Sequence, residues 1–110
     1  MALELGDVQT FEGSIANGAT EEIEVKTATA DYVTVILDDG TTGNAPSEYT
    51  VEQQYYIPSF NDYMKFSEQT AQTASSLNTS ARGARLKYRF TNTSGASDTY
   101  RIVVQSFEEI

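Results

Sequence analysis

Carboxylates are the side chains best placed to do chemistry in this chain. It has 16 Asp and Glu against 7 Lys and Arg in 110 residues, a formal net charge of −9. A pair of carboxyl groups across a glycosidic bond could act as acid and base. Residue type permits that, but so short a chain has no second domain with which to wall a cleft, and a solvated acidic face is the preferred reading. Asp38-Asp39-Gly40 could hold a hard cation together with Glu48 or Asp7. Its spacing departs from that of the EF-hand loop, and the same tripeptide is ordinary turn punctuation. Histidine and cysteine are absent. That removes the usual proton-transfer side chain near neutral pH, thiol catalysis, disulfides and soft-metal ligand sets. Phosphate-binding glycine loops, nucleophile elbows and zinc signatures are also missing. No catalytic residue, cofactor or metal is expected, so the chain reads as a binder or a building block.

Two groups of residues could serve binding. Arg82, Arg85, Lys87 and Arg89 lie close together on an otherwise acidic molecule. They could dock an acidic neighbour, including another copy, or pair across strands with local carboxylates. The second group is aromatic. Tyr55, Tyr56, Ile57, Phe60, Tyr63, Met64 and Phe66 are more apolar groups than one strand and its loop can easily turn inward. Tyr55 and Tyr56 must face opposite sides of a strand. Leftover aromatic surface on a soluble domain suits an interface, or a sugar platform. The alternative is that Phe60 and Phe66 plug one end of the core. Interface candidates are therefore Tyr55, Tyr56, Phe60, Tyr63, Met64, Phe66, Arg82 and Arg85. Asn78-Thr-Ser and Asn92-Thr-Ser match the glycosylation sequon, as chance allows in a chain rich in Ser and Thr.

Stepping along the chain, the elements that must carry these residues have period two. Ile23 and Val25 alternate with Glu22, Glu24 and Lys26. The Asn17-Gly18 turn before them predicts a hairpin of Val8–Ala16 with Thr20–Thr27. Asp31–Leu37 is apolar on both faces and predicts a central strand, ended by Asp38-Asp39-Gly40. Tyr49–Ile57 alternates and is stopped by Pro58. Leu86, Tyr88 and Phe90, then Tyr100, Ile102 and Val104, predict a closing hairpin around Asn92–Asp98. Residues 59–83 are ambiguous. Ser59 and Asp62 could cap a helix bearing Phe60, Tyr63, Met64, Ser67 and Ala71. A short strand, Asp62–Phe66, followed by a polar loop fits the β context better. The expectation is one all-β domain over residues 1–110, an antiparallel β-sandwich of jelly-roll or immunoglobulin-like type with six to eight strands.

The acidic charge argues against nucleic acid and anionic membranes as partners. Low lysine with excess acid suits concentrated salt, or simply an ordinary acidic domain. The opening Met-Ala-Leu-Glu-Leu-Gly-Asp lacks the basic and apolar regions of a signal peptide.

The run Tyr88-Arg-Phe-Thr-Asn-Thr-Ser-Gly-Ala-Ser-Asp-Thr-Tyr-Arg-Ile-Val-Val, residues 88–104, resembles a closing hairpin common in small β-sandwich structural proteins of tailed viruses. The resemblance implies a virion component, such as a capsid decoration or turret protein, assembled in the host cytoplasm. Such proteins are repeated and often trimeric, so the implied partners are the chain itself and other capsid or tail proteins. No catalytic residues come with the family. The acidic composition would suit a virus of a salt-loving archaeal host. A glycan- or host-surface-binding module of a fibre or adhesin is the alternative.

Overall fold

The computed structural model describes residues 2–25, 31–80 and 85–109. Eight strands run in the order β1 (Leu3–Ile15), β2 (Thr20–Val25), β3 (Tyr32–Asp38), β4 (Tyr49–Ile57), β5 (Asp62–Gln72), β6 (Ser76–Ser80), β7 (Leu86–Asn92) and β8 (Asp98–Glu109). They form two four-stranded sheets, β1-β8-β3-β6 and β2-β7-β4-β5. Every ladder is antiparallel. Two facing sheets in this strand order make a jelly roll, not an immunoglobulin-like sandwich. Among the described residues there is no helix.

Period-two patterning works where one face of a strand is buried. Val33, Val35 and Leu37 point inward from β3, and Tyr32, Thr34 and Ile36 point outward. Leu86, Tyr88 and Phe90 line the inner face of β7, opposite Tyr100, Ile102 and Val104 of β8. Tyr49 stays in this core because its hydroxyl donates to the Ala74 carbonyl at 2.8 Å, and burial pushes that phenol up to about 12. Tyr100 likewise donates to the Glu48 carbonyl at 3.1 Å. Each ring thus buries its apolar body without stranding its polar end.

Neither predicted hairpin forms. β1 pairs with β8 and β2 with β7, so the links 16–19 and 93–97 each arch from one sheet to the other. Ile15 and Ile23 are both buried and lie on opposite sheets, which a flat hairpin could not achieve. The Asn-Gly dipeptide still makes a turn: Gly18 has φ 79° and Ala19 N–H donates to the Ala16 carbonyl at 2.9 Å. Its remaining bonds go to the other arch. Gly18 N–H donates to the Asn92 carbonyl at 2.8 Å, and Asn92 N–H donates to the Ala19 carbonyl at 3.0 Å. The buried Asn92 carboxamide completes the lock, donating to the carbonyls of Ile15 and Ala96 at 2.8 Å and accepting from Ser94 N–H at 2.9 Å. The run that carries the virion-protein resemblance is therefore β7, an arch and the start of β8, rather than a hairpin.

The ambiguous stretch is strand, and more of it than expected. β5 continues beyond Phe66 to Gln72, and β6 occupies Ser76–Ser80 where a loop was predicted. β4 and β5 form a true hairpin through residues 58–61, with Phe60 N–H donating to the Ile57 carbonyl and Asn61 at φ 50°. Pro58 ends the ladder as expected.

Candidate functional site

The β4–β5 hairpin carries the aromatic candidates, and the sheet divides them. Tyr55 turns inward and stacks on Phe66, ring centroids 4.5 Å apart at 11°. Tyr56 turns outward and meets Tyr63 edge to face at 5.4 Å. Its hydroxyl donates to Asn61 Oδ1 at 2.5 Å. The Arg85 guanidinium lies 4.5 Å above the Tyr56 ring, and Lys87 Nζ lies 4.2 Å above Tyr63. Burial is the main cause that pushes the Tyr63 phenol up to about 12. Phe60 and Met64 remain 68% and 51% exposed at the tip of the hairpin, and Phe66, farther along β5, is 50% exposed. Six of the eight candidates therefore sit on one hairpin, with Arg85 beside it. Arg82 lies outside the described residues.

Arg85 and Arg89 of the basic cluster are matched locally. Arg85 pairs with Glu24 at 2.5 Å. Arg89 Nε lies 3.0 Å from Glu22 as an ion pair without hydrogen-bond geometry, and its Nη1 lies 3.6 Å from Glu52. Lys65 faces Glu68 at 3.5 Å. The outer face of β2-β7-β4-β5 is thus a lattice of alternating charge around two tyrosines. These exposed pairs fix side-chain positions more than they stabilise the fold.

Asp38 and Asp39 are engaged in their own turn. Asp38 holds Arg101 through Nε, at 3.1 and 3.0 Å, and through Nη2. It also accepts from Gly40 N–H at 2.8 Å. Asp39 Oδ1 accepts the N–H groups of Thr41, Thr42 and Gly43 at 2.8–3.0 Å, and its Oδ2 accepts from the Thr42 hydroxyl. Only glycine suits position 40: φ is +75°, and a Cβ there would lie 2.5 Å from Thr99 Cγ2. Among the described residues no three acidic groups converge as a cation site. The Arg101 bond chiefly lowers the Asp38 carboxyl, and the Thr42 hydroxyl bond chiefly lowers that of Asp39. A lowered folded-state pKa gives stability that is complete above the unfolded value of 3.8 and is lost as pH falls through the folded one. Wild-type melting temperature should therefore drop below about pH 4, and Asp39→Asn should show a shallower acid drop than wild type. Parallel acid limbs in thermal melts from pH 6 to 2 would contradict this.

Asn92 of the second sequon is buried in the arch lock, whereas Asn78 is exposed on β6. A small cleft lined by Val51, Gln53, Ser67, Gln69, Leu77 and Tyr88 has room for little more than a water molecule.

The sequence matches no protein-family model and no curated protein. Solved structures do match. The mitogen derived from Yersinia pseudotuberculosis aligns over 94% of this chain and 86% of its own, with TM-score 0.60 and 14% identity. The two chains share a fold. At that identity the likeness carries no activity across. The Drosophila NLP core aligns over 94% of this chain and 100% of its own, at TM-score 0.36 and 9% identity.

The surface that sequence reasoning missed is the outer face of the other sheet. Leu3, Leu5 and Val8 of β1 and Tyr32 and Ile36 of β3 are all exposed there. A bulge between Leu5 and Val8 hides the pattern, because it puts Val8 on the same face as Leu5 despite odd spacing.

Proposed function

We propose that this chain is a non-enzymatic assembly subunit, a virion structural protein of the capsid decoration or turret type. The observation that carries the reading is the hairpin, whose four-residue turn and β5 hold Phe60 and Met64 out in solvent and leave Phe66, stacked on Tyr55, half exposed. Apolar groups kept outside a domain that has a complete core of its own mark a docking surface. The jelly roll is a fold used by capsid and lectin domains, which agrees with the reading without specifying it. The partners would be further copies, as a trimer, together with other capsid or tail proteins. High salt would screen the acidic charge between neighbouring copies.

A second reading has one observation in its favour. A protein of the same fold is a mitogen by name, so a jelly roll like this one can act on cells. In that case the Tyr56–Tyr63 pair with Arg85 would be the binding face for a glycan or host surface.

Sedimentation of the protein in molar salt separates the readings. The wild type should form a trimer or a larger assembly built of trimers. Phe60→Ser/Met64→Ser should abolish it while leaving the circular dichroism unchanged, because neither side chain belongs to the buried core. A trimer that survives the double substitution, or a wild type with neither a trimer nor a multiple of three at high concentration, would overturn the tip-mediated assembly.

A further inference from the structure

We infer that the outer face of sheet β1-β8-β3-β6 is a second self-association surface, at which two copies meet face to face about a twofold axis. The register defines the face row by row. Leu5, Phe107 and Tyr32 form one row. Val8, Gln105, Thr34 and Asn78 form the next, followed by Thr10, Val103, Ile36 and Ser76. None of these side chains is charged, in a protein with charged residues at 21% and a net charge of −9. Asp7, in the bulge between the first two rows, accepts from Gln9 Nε2 at 3.2 Å. Other charges flank the rows, at Glu12, Arg101 and Asp38 on one side and, on the other, at Glu109, which accepts from the Tyr32 hydroxyl at 3.1 Å. The outer face of the opposite sheet is a lattice of Glu, Arg and Lys.

That contrast selects the occupant. Two copies of so acidic a chain repel each other wherever carboxylates meet, and the uncharged rows are where they can touch without that cost. Leu5, Val8, Tyr32 and Ile36, which are 55%, 40%, 43% and 44% exposed, supply apolar area for the contact. Four strands about 4.8 Å apart, 13, 12, 7 and 5 residues long, give the whole outer face roughly 600 Å². Stable interfaces begin at about 600 Å² per partner, so the contact takes the whole face, with the uncharged rows at its centre and the charged ones at its rim. Sheet-on-sheet packing between copies repeats the geometry that already holds the two sheets of one copy together. The contact is isologous and closes at two, unlike the threefold tip contact. It does not depend on the virion reading.

The test uses the Phe60→Ser/Met64→Ser protein, in which the tip is removed, followed by sedimentation equilibrium in molar salt. A dimer is expected. Adding Val8→Lys/Ile36→Lys should weaken it by about 100-fold or more, because lysines then oppose lysines in a desolvated seam. Leu5→Asp/Val8→Asp, confined to edge strand β1, should do the same with the opposite sign of charge. Circular dichroism and a cooperative melt must show each protein folded. Either charge pair breaking the dimer in a folded protein supports the face, and breakage by both shows that apolar contact is what was lost. A tip-less protein that is already monomeric, or a dimer unmoved by the folded charge variants, overturns the face. Neither result touches the trimer measured with an intact tip.

Discussion

Replacing Phe90 with alanine should cost about 3–5 kcal/mol, a large share of the roughly 5–15 kcal/mol that holds a domain of this kind together. Phe90 is 1% exposed at the centre of the core. Its ring lies 6.2 Å from Tyr49, tilted by 53°, and 6.3 Å from Tyr88, nearly parallel at 23°. On one side its strand pairs with β2, placing Phe90 opposite Glu21, and on the other with β4, opposite Val51. Removing the ring takes a partner from two buried tyrosines and leaves a hole that strands paired on both edges cannot collapse to fill. Denaturant unfolding followed by tyrosine fluorescence measures the loss. Phe90→Leu, which keeps most of the volume, should lose much less. A Phe90→Ala protein within about 1 kcal/mol of wild type would show that the core repacks freely.

The second large effect should come from a polar residue. Asn92→Ala should cost about 2–4 kcal/mol although it removes little apolar surface. The side chain is 1% exposed, and it ties the carbonyls of Ile15 and Ala96 to the N–H of Ser94. Its loss leaves buried groups without partners, and that desolvation penalty exceeds the net worth of the bonds themselves. Asn92→Asp should be worse than Asn92→Ala. It keeps the acceptor for Ser94 but sets a carboxylate where two carbonyls need donors. The midpoints of guanidinium unfolding for the three proteins order them directly. If Asn92→Asp proved the more stable of the two variants, the donors would not matter and the lock would reside in backbone bonds alone.

Asn92 also shows what could and could not be read from the residues. Val33, Val35 and Leu37, and the alternating runs of β2, β4, β7 and β8, were legible because one face of each strand meets the core. β5 and β6 were not. They are edge strands whose described side chains, Leu77 and a few others apart, stay largely in solvent, so burial imposes no period on Ser67–Gln72 or Ser76–Asn78. Pairing was the other failure. An Asn-Gly turn between two alternating runs is the same local signal whether the strands zip together or arch across a core. The outcome depends on which distant strand competes for each edge. The aromatic hairpin was visible as an excess of side chains no strand could bury. The uncharged face was invisible, because it exists only when Leu5, Phe107 and Tyr32 are brought side by side from three parts of the chain.

The pairing of Leu3 with Glu109 has a bearing on how the molecule comes into being. The first strand has its ladder partner on the order of a hundred residues downstream, and closing so wide a loop is entropically expensive. During synthesis β1 must wait, unpaired and bearing exposed Leu3, Leu5 and Val8, until β8 has left the ribosome. Both arches share Asn92, so neither can be secured early by itself. Local pairing is confined to the β4–β5 hairpin, which leaves that hairpin as the natural first piece to form. The part of the chain proposed to join copies together would then be structured before the rest of the domain has folded around it.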